Sequence, residues 1–193
     1  KLDKYGGSFA NLFRENNFQA FGCSQYRGIV PTLCKEFPLA YEDVVYWPYG
    51  QVGGAPISVY FRKKAQLLCM LYNNRAITSN GILEAIKDID KIGAIADYQS
   101  PRPFVDEGVI EYSDTLLKKI NEGTILLPGS REEIEIRTNY CNAAEILRDK
   151  INELRAKMNP PKTPIYHSHL DPKCWLLGRK SSTPQHLTPT TAY

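Results

Sequence analysis

The chain has 193 residues, 42% of them hydrophobic and 23% charged, which is typical of a globular domain with a continuous core. A net charge of +3 does not favour a dedicated nucleic-acid-binding protein, because such proteins usually carry a denser basic face. Its apolar runs are too short to cross a bilayer, and five cysteines with no Cys-x-x-Cys spacing favour reduced thiols in a cytoplasmic protein.

The first part of the chain predicts short helices separated by breakers. Ser8 follows two glycines and predicts the N-cap of a helix that carries Phe9, Leu12 and Phe13. A second helical pattern runs over residues 29–37, where the Phe-Pro step ends it.

Glycine and proline dominate the segment from Trp47 to Pro56, which predicts a surface loop. Ile57–Tyr60 is consistent with a brief strand, but we expect it to lead into a helix over about 61–75. Lys63 lies near the start of that helix, where a cation opposes the helix dipole. It is therefore either a solvated charge or a contact for phosphate or carboxylate.

The central part carries the most informative stretch. After an apolar helical pattern over residues 82–92, Asp97 lies between an apolar run and a proline-rich break, so its carboxylate is predicted at a bend. A short helix at Phe104–Val105, closed by Gly108, and a second helix capped by Ser113 follow. Helix, tight turn and helix give the outline of a helix-hairpin-helix unit, which is weakly specific alone.

A capping-box pattern over residues 130–133 opens the longest predicted helix, which ends near Met158. A last helix is predicted over 170–177, interrupted at Asp171-Pro172, and the Thr/Pro-rich segment 181–193 has no core of its own. We therefore predict an all-α protein with one helical domain over residues 1–180 and a tail over 181–193 that packs on it.

The sequence holds no Gly-rich phosphate loop, no His-Glu-x-x-His and no nucleophile elbow. His167 and His169 lack the partners that a metal site requires. The remaining candidates are carboxylates and cations at helix ends, which form either an ion-pair network or an active site: Lys63, Asp97, Glu133, Glu135 and Arg137.

Several short sequence motifs, called words below, occur in a fixed order along nearly the whole chain. They are Gly-Gly-Ser-Phe at residues 6–9, Lys-Lys-Ala-Gln at 63–66, Ala-Asp-Tyr at 96–98, Glu-Ile-Glu-Ile-Arg at 133–137, and Pro-Gln-His at 184–186 with Tyr193. This series resembles the queuosine salvage proteins, the queuosine 5′-phosphate N-glycosylase/hydrolase family. No single word is specific, but their collinear order is.

The resemblance implies an all-α fold related to helix-hairpin-helix DNA glycosylases. It implies hydrolysis of queuosine 5′-phosphate to queuine, which is then available for insertion into tRNA. It implies no metal, no cofactor, no membrane and no direct contact with nucleic acid. Family members carry a substantial region before the Gly-Gly-Ser-Phe word, so we expect that an N-terminal portion is absent from this sequence.

The resemblance also assigns roles to individual residues. Asp97 matches the family's aspartate in Ala-Asp-Tyr and is predicted to be catalytic. Lys63 matches the lysine of Lys-x-Ala-Gln and is expected to contact the phosphate or the departing base, while Tyr98 bounds or stacks on the base. Glu135 and Arg137 either hold Asp97 or the substrate in place or only pair with each other.

Two further substrate-binding candidates lie near the end of the chain. Asp171 matches an acid of a late helix, although Pro172 follows it here, and His186 matches a histidine that arginine usually follows. Leu177-Gly178 stands where the family has Trp-Asp. These departures affect base recognition more than cleavage.

Two other functions are consistent with the same residues. One is a non-catalytic module that binds nucleotides or tRNA with the same fold. The other is a glycosylase that acts on bases within DNA or RNA, which the weak net charge does not favour.

Overall fold

A computed structural model describes residues 1–47 and 56–193 and confirms that the chain is mainly α-helical. The described residues form eight α-helices and one small hairpin of two strands. In chain order these are α1 Phe9–Glu15, α2 Ile29–Glu36, α3 Pro38–Tyr41, β1 Val44–Trp47, β2 Ile57–Tyr60, α4 Lys63–Ile77, α5 Arg102–Asp106, α6 Asp114–Asn121, α7 Arg131–Ala156 and α8 His167–Gly178. The chain divides into two compact units.

The first unit comprises Lys1–Asp43, Arg62–Ile92 and Ala192, and it contains helices α1 to α4. Ser8 caps α1 as predicted, because its hydroxyl accepts a hydrogen bond from the N–H of Ala10 at 3.2 Å. Helix α2 packs on α4. The apolar pattern over 82–92 was expected to be helical, but the structure has only a 3₁₀ turn at Ile89–Lys91 there.

The hairpin corrects another expectation. Ile57–Tyr60 does not lead into the helix but forms β2, which pairs antiparallel with β1 in the register Val44 to Tyr60 and Trp47 to Ile57. Both tetrapeptides consist largely of β-branched and aromatic residues, which favour a pleated strand over a helix. Of the predicted surface loop, residues 48–55 lie outside the described part of the chain.

The second unit comprises Val44–Phe61, Gly93–Thr191 and Tyr193. Helix α7 runs through its core, and Tyr140 and Ala144 on that helix are completely buried. The ring of Tyr140 meets that of Phe104 from α5 edge-on, with 5.4 Å between centroids. The rest of this core cluster comes from four other places along the chain: Phe61, Ala96, Ile110, Leu170 and Cys174.

Helix α8 begins three residues earlier than predicted and continues through Pro172 without interruption. Its start is fixed by His169, whose Nδ1 accepts a hydrogen bond from the N–H of Tyr166 at 3.0 Å. A proline removes one helical hydrogen bond, but eleven other residues and the packing of α8 on α5 and α7 hold the helix.

The Thr/Pro-rich segment after α8 is held through its main-chain carbonyls and through the Thr183 hydroxyl, which donates to Asp106 Oδ1 at 2.6 Å. Arg102 donates through Nε to the carbonyl of Thr183 at 2.6 Å and through Nη2 to that of Ser181 at 2.9 Å. The N–H of Leu126 donates to the carbonyl of Leu187 at 2.8 Å. Within the second unit these contacts position the residues that follow Pro184.

Candidate active site

Asp97 follows a buried Ile95-Ala96 step and is itself only 5% exposed. One carboxylate oxygen, Oδ1, accepts hydrogen bonds from the N–H of Gln99 at 2.8 Å, the N–H of Ser100 at 2.9 Å and the Ser100 hydroxyl at 3.1 Å. A short polar side chain that binds the backbone two and three residues on is the usual way in which such a bend is closed. The predicted bend therefore holds a buried carboxylate in a fixed orientation.

Ser100 connects Asp97 to the core of the second unit. Its hydroxyl also interacts with that of Tyr140, and burial raises the pKa of the Tyr140 phenol. Burial likewise raises the pKa of the Cys174 thiol to about 11, and the charge of Asp171 adds to that effect. Asp171 is therefore a buried acid of α8 close to Tyr140 and Cys174.

Helix α7 brings a buried ion pair to the same unit. Arg137 Nη1 lies 3.1 Å from Glu133 Oε1, and both side chains are almost completely covered. The guanidinium carbon stands 3.7 Å from the ring centroid of Phe61 and 4.4 Å from that of Tyr193. The cation is thus held by a carboxylate along the helix and by two aromatic rings.

His186 lies next to this pair. Its Nε2 is 3.2 Å from the Tyr193 hydroxyl oxygen. The pKa of the imidazole is lowered to about 4, first by burial and then by the positive charge of Arg137, against the negative charge of Asp97, which raises it. His186 is therefore a neutral imidazole near pH 7, within the electrostatic reach of both Arg137 and Asp97.

Tyr98 extends the site toward solvent. It is 38% exposed, and its ring centroid is 6.4 Å from that of Tyr193. A partly exposed aromatic ring beside a buried carboxylate provides an apolar wall for a planar group.

The structure thus brings together five of the seven predicted site residues within the second unit: Asp97, Tyr98, Arg137, Asp171 and His186. Glu135 is bound to Arg131 at 2.8 Å in a half-exposed pair, whereas Arg137 pairs with the buried Glu133. Lys63 lies in the first unit, where its N–H donates to Asp43 Oδ2 at 3.2 Å. The site roles assigned to Lys63 and Glu135 stay predictions.

Glu133 was a candidate carboxylate without an assigned role, and its i,i+4 spacing from Arg137 places both on one helix face. Two further residues of this network, Ser100 and Tyr193, were not candidates. Ser100 could have been found from the Asp-x-x-Ser turn pattern. Tyr193 has no local signal, because only the folded segment 181–193 carries it to Arg137.

The two histidines in the first turn of α8 interact with a carboxylate and with the backbone. His167 Nε2 lies 2.6 Å from Glu145 Oε2, and His169 accepts from the backbone. Across residues 1–47 and 56–193, no group of three or more His, Cys, Asp or Glu side chains is arranged to hold a metal ion. Within the same ranges, none of the helices has both the length and the apolar composition that a transmembrane span needs.

Comparison with known families settles the relationship of the chain. The family model described as queuosine salvage protein matches residues 1–192. The chain belongs to the queuosine salvage protein family. The resemblance inferred from the collinear words is thereby confirmed.

Curated relatives in this family carry the name queuosine 5′-phosphate N-glycosylase/hydrolase. The mouse protein is 30% identical over 179 residues, which is 93% of this chain and 48% of the mouse protein. The bovine protein is 32% identical over 162 residues, or 84% of this chain and 43% of its own length. This member of the queuosine salvage family therefore spans about half the length of the curated relatives it matches.

Proposed function

We propose that this chain forms part of an enzyme that hydrolyses the N-glycosidic bond of queuosine 5′-phosphate and releases queuine. The printed names of the mouse and bovine relatives support the substrate and the reaction class. The observation that carries the proposal is the Asp97 carboxylate, which is buried and fixed by three donors.

The chemistry of the reaction suits such a group. As the bond between the base nitrogen and C1′ lengthens, positive charge develops on C1′ and the ribose ring oxygen. A carboxylate that is already oriented, in a place from which water is largely excluded, stabilises that charge without having to reorganise. Asp97 also has the chemistry to orient or deprotonate the water that attacks C1′. Water adds to C1′, and the base leaves with a proton.

The base is a 7-deazapurine, so the ring nitrogen that is usually protonated in purine leaving groups is missing. The departing base must therefore be stabilised by hydrogen bonds from the protein. Tyr98 is the candidate to bound its ring, while Asp171 and His186 are candidates for its polar edge. Lys63, Glu135 and Arg137 are proposed to support phosphate binding or to orient the other groups.

A direct test is to incubate the purified protein with queuosine 5′-phosphate and to measure free queuine by mass spectrometry. We expect the parent to release queuine and Asp97→Asn to lose at least a hundredfold of the rate, because the substitution removes the charge and keeps the shape. Asp149→Asn, which changes an exposed carboxylate on α7, is the matched control and should keep the parent rate. An Asp97→Asn protein that is folded and turns over at the parent rate would exclude this role.

The same assay separates the two other candidate functions. Binding of queuosine 5′-phosphate by calorimetry without any release of queuine would identify a binding module. Release of a base from duplex or single-stranded nucleic acid, with an affinity that falls as salt rises, would identify a nucleic-acid glycosylase.

A further inference from the structure

Tyr193 contacts several residues of the candidate site but has no assigned role. Its ring lies 4.4 Å from the Arg137 guanidinium carbon and 6.4 Å from the ring of Tyr98. Its hydroxyl is 3.2 Å from His186 Nε2 and also interacts with the Glu133 carboxylate. One side chain therefore connects the buried ion pair, the neutral histidine and the residue next to Asp97.

The direction of these hydrogen bonds follows from donor and acceptor chemistry. A phenol has one proton to donate and lone pairs to accept, whereas a carboxylate bound to a guanidinium can only accept. Tyr193 therefore donates to Glu133. The pKa of Tyr193 is raised, first by burial and also by the charge and hydrogen bond of Glu133, against the hydrogen bond of Thr188 and the charge of Arg137, which lower it, so the phenol keeps that proton near pH 7.

The contact with His186 is then fixed as well. With its proton directed at Glu133, the Tyr193 oxygen accepts from His186, so His186 carries its hydrogen on Nε2. In a neutral imidazole the hydrogen bond of one ring nitrogen decides the state of the other. Nδ1 is consequently the unprotonated nitrogen and the acceptor of the ring.

We propose that Tyr193 is a positioning residue that sets the tautomer of His186 and holds the Glu133–Arg137 pair, so that His186 presents an Nδ1 acceptor to a donor group of the substrate. This rests on the proposed function for the identity of the substrate. The fitting substrate groups are N–H or O–H donors, such as an amino group on the base or a ribose hydroxyl.

Kinetics of Tyr193→Phe test the proposal, since the ring over Arg137 stays and only the hydroxyl is lost. We expect about a tenfold fall in kcat/KM for queuosine 5′-phosphate, the usual effect of one hydrogen bond to a charged group, with little change in thermal stability. Tyr46→Phe, at a tyrosine that is 64% exposed on β1, is the matched control and should behave as the parent. Parent values of kcat, KM and pH profile in Tyr193→Phe would overturn the proposal.

A second measurement does not depend on activity. The chain contains three histidines, so ¹⁵N NMR of the imidazoles, with His186→Asn for assignment, identifies the tautomer of His186. We expect the Nε2–H form in the parent and a shift toward Nδ1–H in Tyr193→Phe. An Nδ1–H parent, or an unchanged tautomer in the variant, would overturn the assignment. A parent that releases no queuine would refute the proposed function instead and leave this result standing.

Discussion

At the scale of single residues, helix α7 contains two ion pairs with the same spacing and opposite surroundings. Glu133 and Arg137 are i,i+4 partners whose side chains are 2% and 1% exposed. Arg131 and Glu135 are also i,i+4 partners, but their side chains are 60% and 38% exposed. Water screens the second pair, whereas the first has exchanged hydration for its protein partners.

This difference predicts unequal costs of disruption. Glu133→Gln leaves the buried guanidinium without its carboxylate, so we expect a loss of about 3–5 kcal/mol in the free energy of unfolding. Glu135→Gln removes an exposed carboxylate from the same helix and should change it by less than about 1 kcal/mol. Urea denaturation followed by circular dichroism measures both. Equal losses in the two variants would show that the first pair is hydrated in solution.

The two pairs also show what the sequence could and could not predict at this scale. The bend at Asp97 was predictable, because an apolar run ends there and a proline-rich break follows. The word Glu-Ile-Glu-Ile-Arg gives no sign of which carboxylate is buried, because alternating charges on a helix usually face water. Phe61 and Tyr193, which cover Arg137, lie far from it along the chain, so only the fold decides between Glu133 and Glu135.

At the scale of elements, Gly178 is the point at which α8 touches the turn of Asp97. A Cβ placed at Gly178 would lie 2.1 Å from the carbonyl oxygen of Gln99, and that atom belongs to the backbone. Gln99 also donates its N–H to Asp97. Any side chain at position 178 must therefore displace either α8 or the turn that orients the carboxylate.

We accordingly expect Gly178→Ala to lower both stability and activity. The shift of α8 or of the turn that avoids the clash should lower the free energy of unfolding by about 1–3 kcal/mol. A displaced Asp97 should reduce kcat by more than it changes KM. Leu177→Ala, at a neighbouring position that is 57% exposed, serves as the control and should leave kcat unchanged. Thermal denaturation and queuine release measure the two effects. Parent kcat in Gly178→Ala would show that the turn moves independently of α8.

Prediction at this scale succeeded where the local signal was strong. Ser8 and Ser113 cap the helices they were expected to cap, and the longest helix has nearly its predicted bounds. The hairpin was missed because each strand has only four residues, too few for their alternation to stand out. Residues 82–92 have apolar positions at helical spacing, yet Ile82 is 85% exposed, so that pattern did not correspond to a buried face.

At the scale of the whole molecule, His186 makes stability depend on pH. Its pKa is about 4 in the folded chain, below the ordinary value of 6.5, so the unfolded chain binds the proton more tightly. The contribution of neutral His186 is present above pH 6.5 and is lost as the pH falls toward 4. The charged groups that act on it are Arg137, which disfavours its protonation, and Asp97, which favours it.

Replacement of His186 by glutamine should therefore reduce the loss of unfolding free energy that occurs as the pH falls below 6.5. Between pH 6.5 and 4 we expect the parent to lose about 3 kcal/mol more than His186→Gln, as a difference of two to three pKa units implies. Both tryptophans, Trp47 and Trp175, belong to the unit that contains His186, so tryptophan fluorescence during urea titration reports on it. Parallel profiles for parent and variant would contradict a buried neutral imidazole.

Arg102 and Leu126 donate hydrogen bonds to the carbonyl groups of three residues in the final segment, Ser181, Thr183 and Leu187. Every amino acid has such a carbonyl group. Two of these residues also use their side chains, because the Thr183 hydroxyl donates to Asp106 Oδ1 at 2.6 Å and the Ser181 hydroxyl accepts from the N–H of Thr183 at 3.1 Å. The side chain at position 187 can therefore change more freely than those at 181 and 183 while the path of the chain is preserved. Drift such as the leucine after His186 is in this sense compatible with retained geometry.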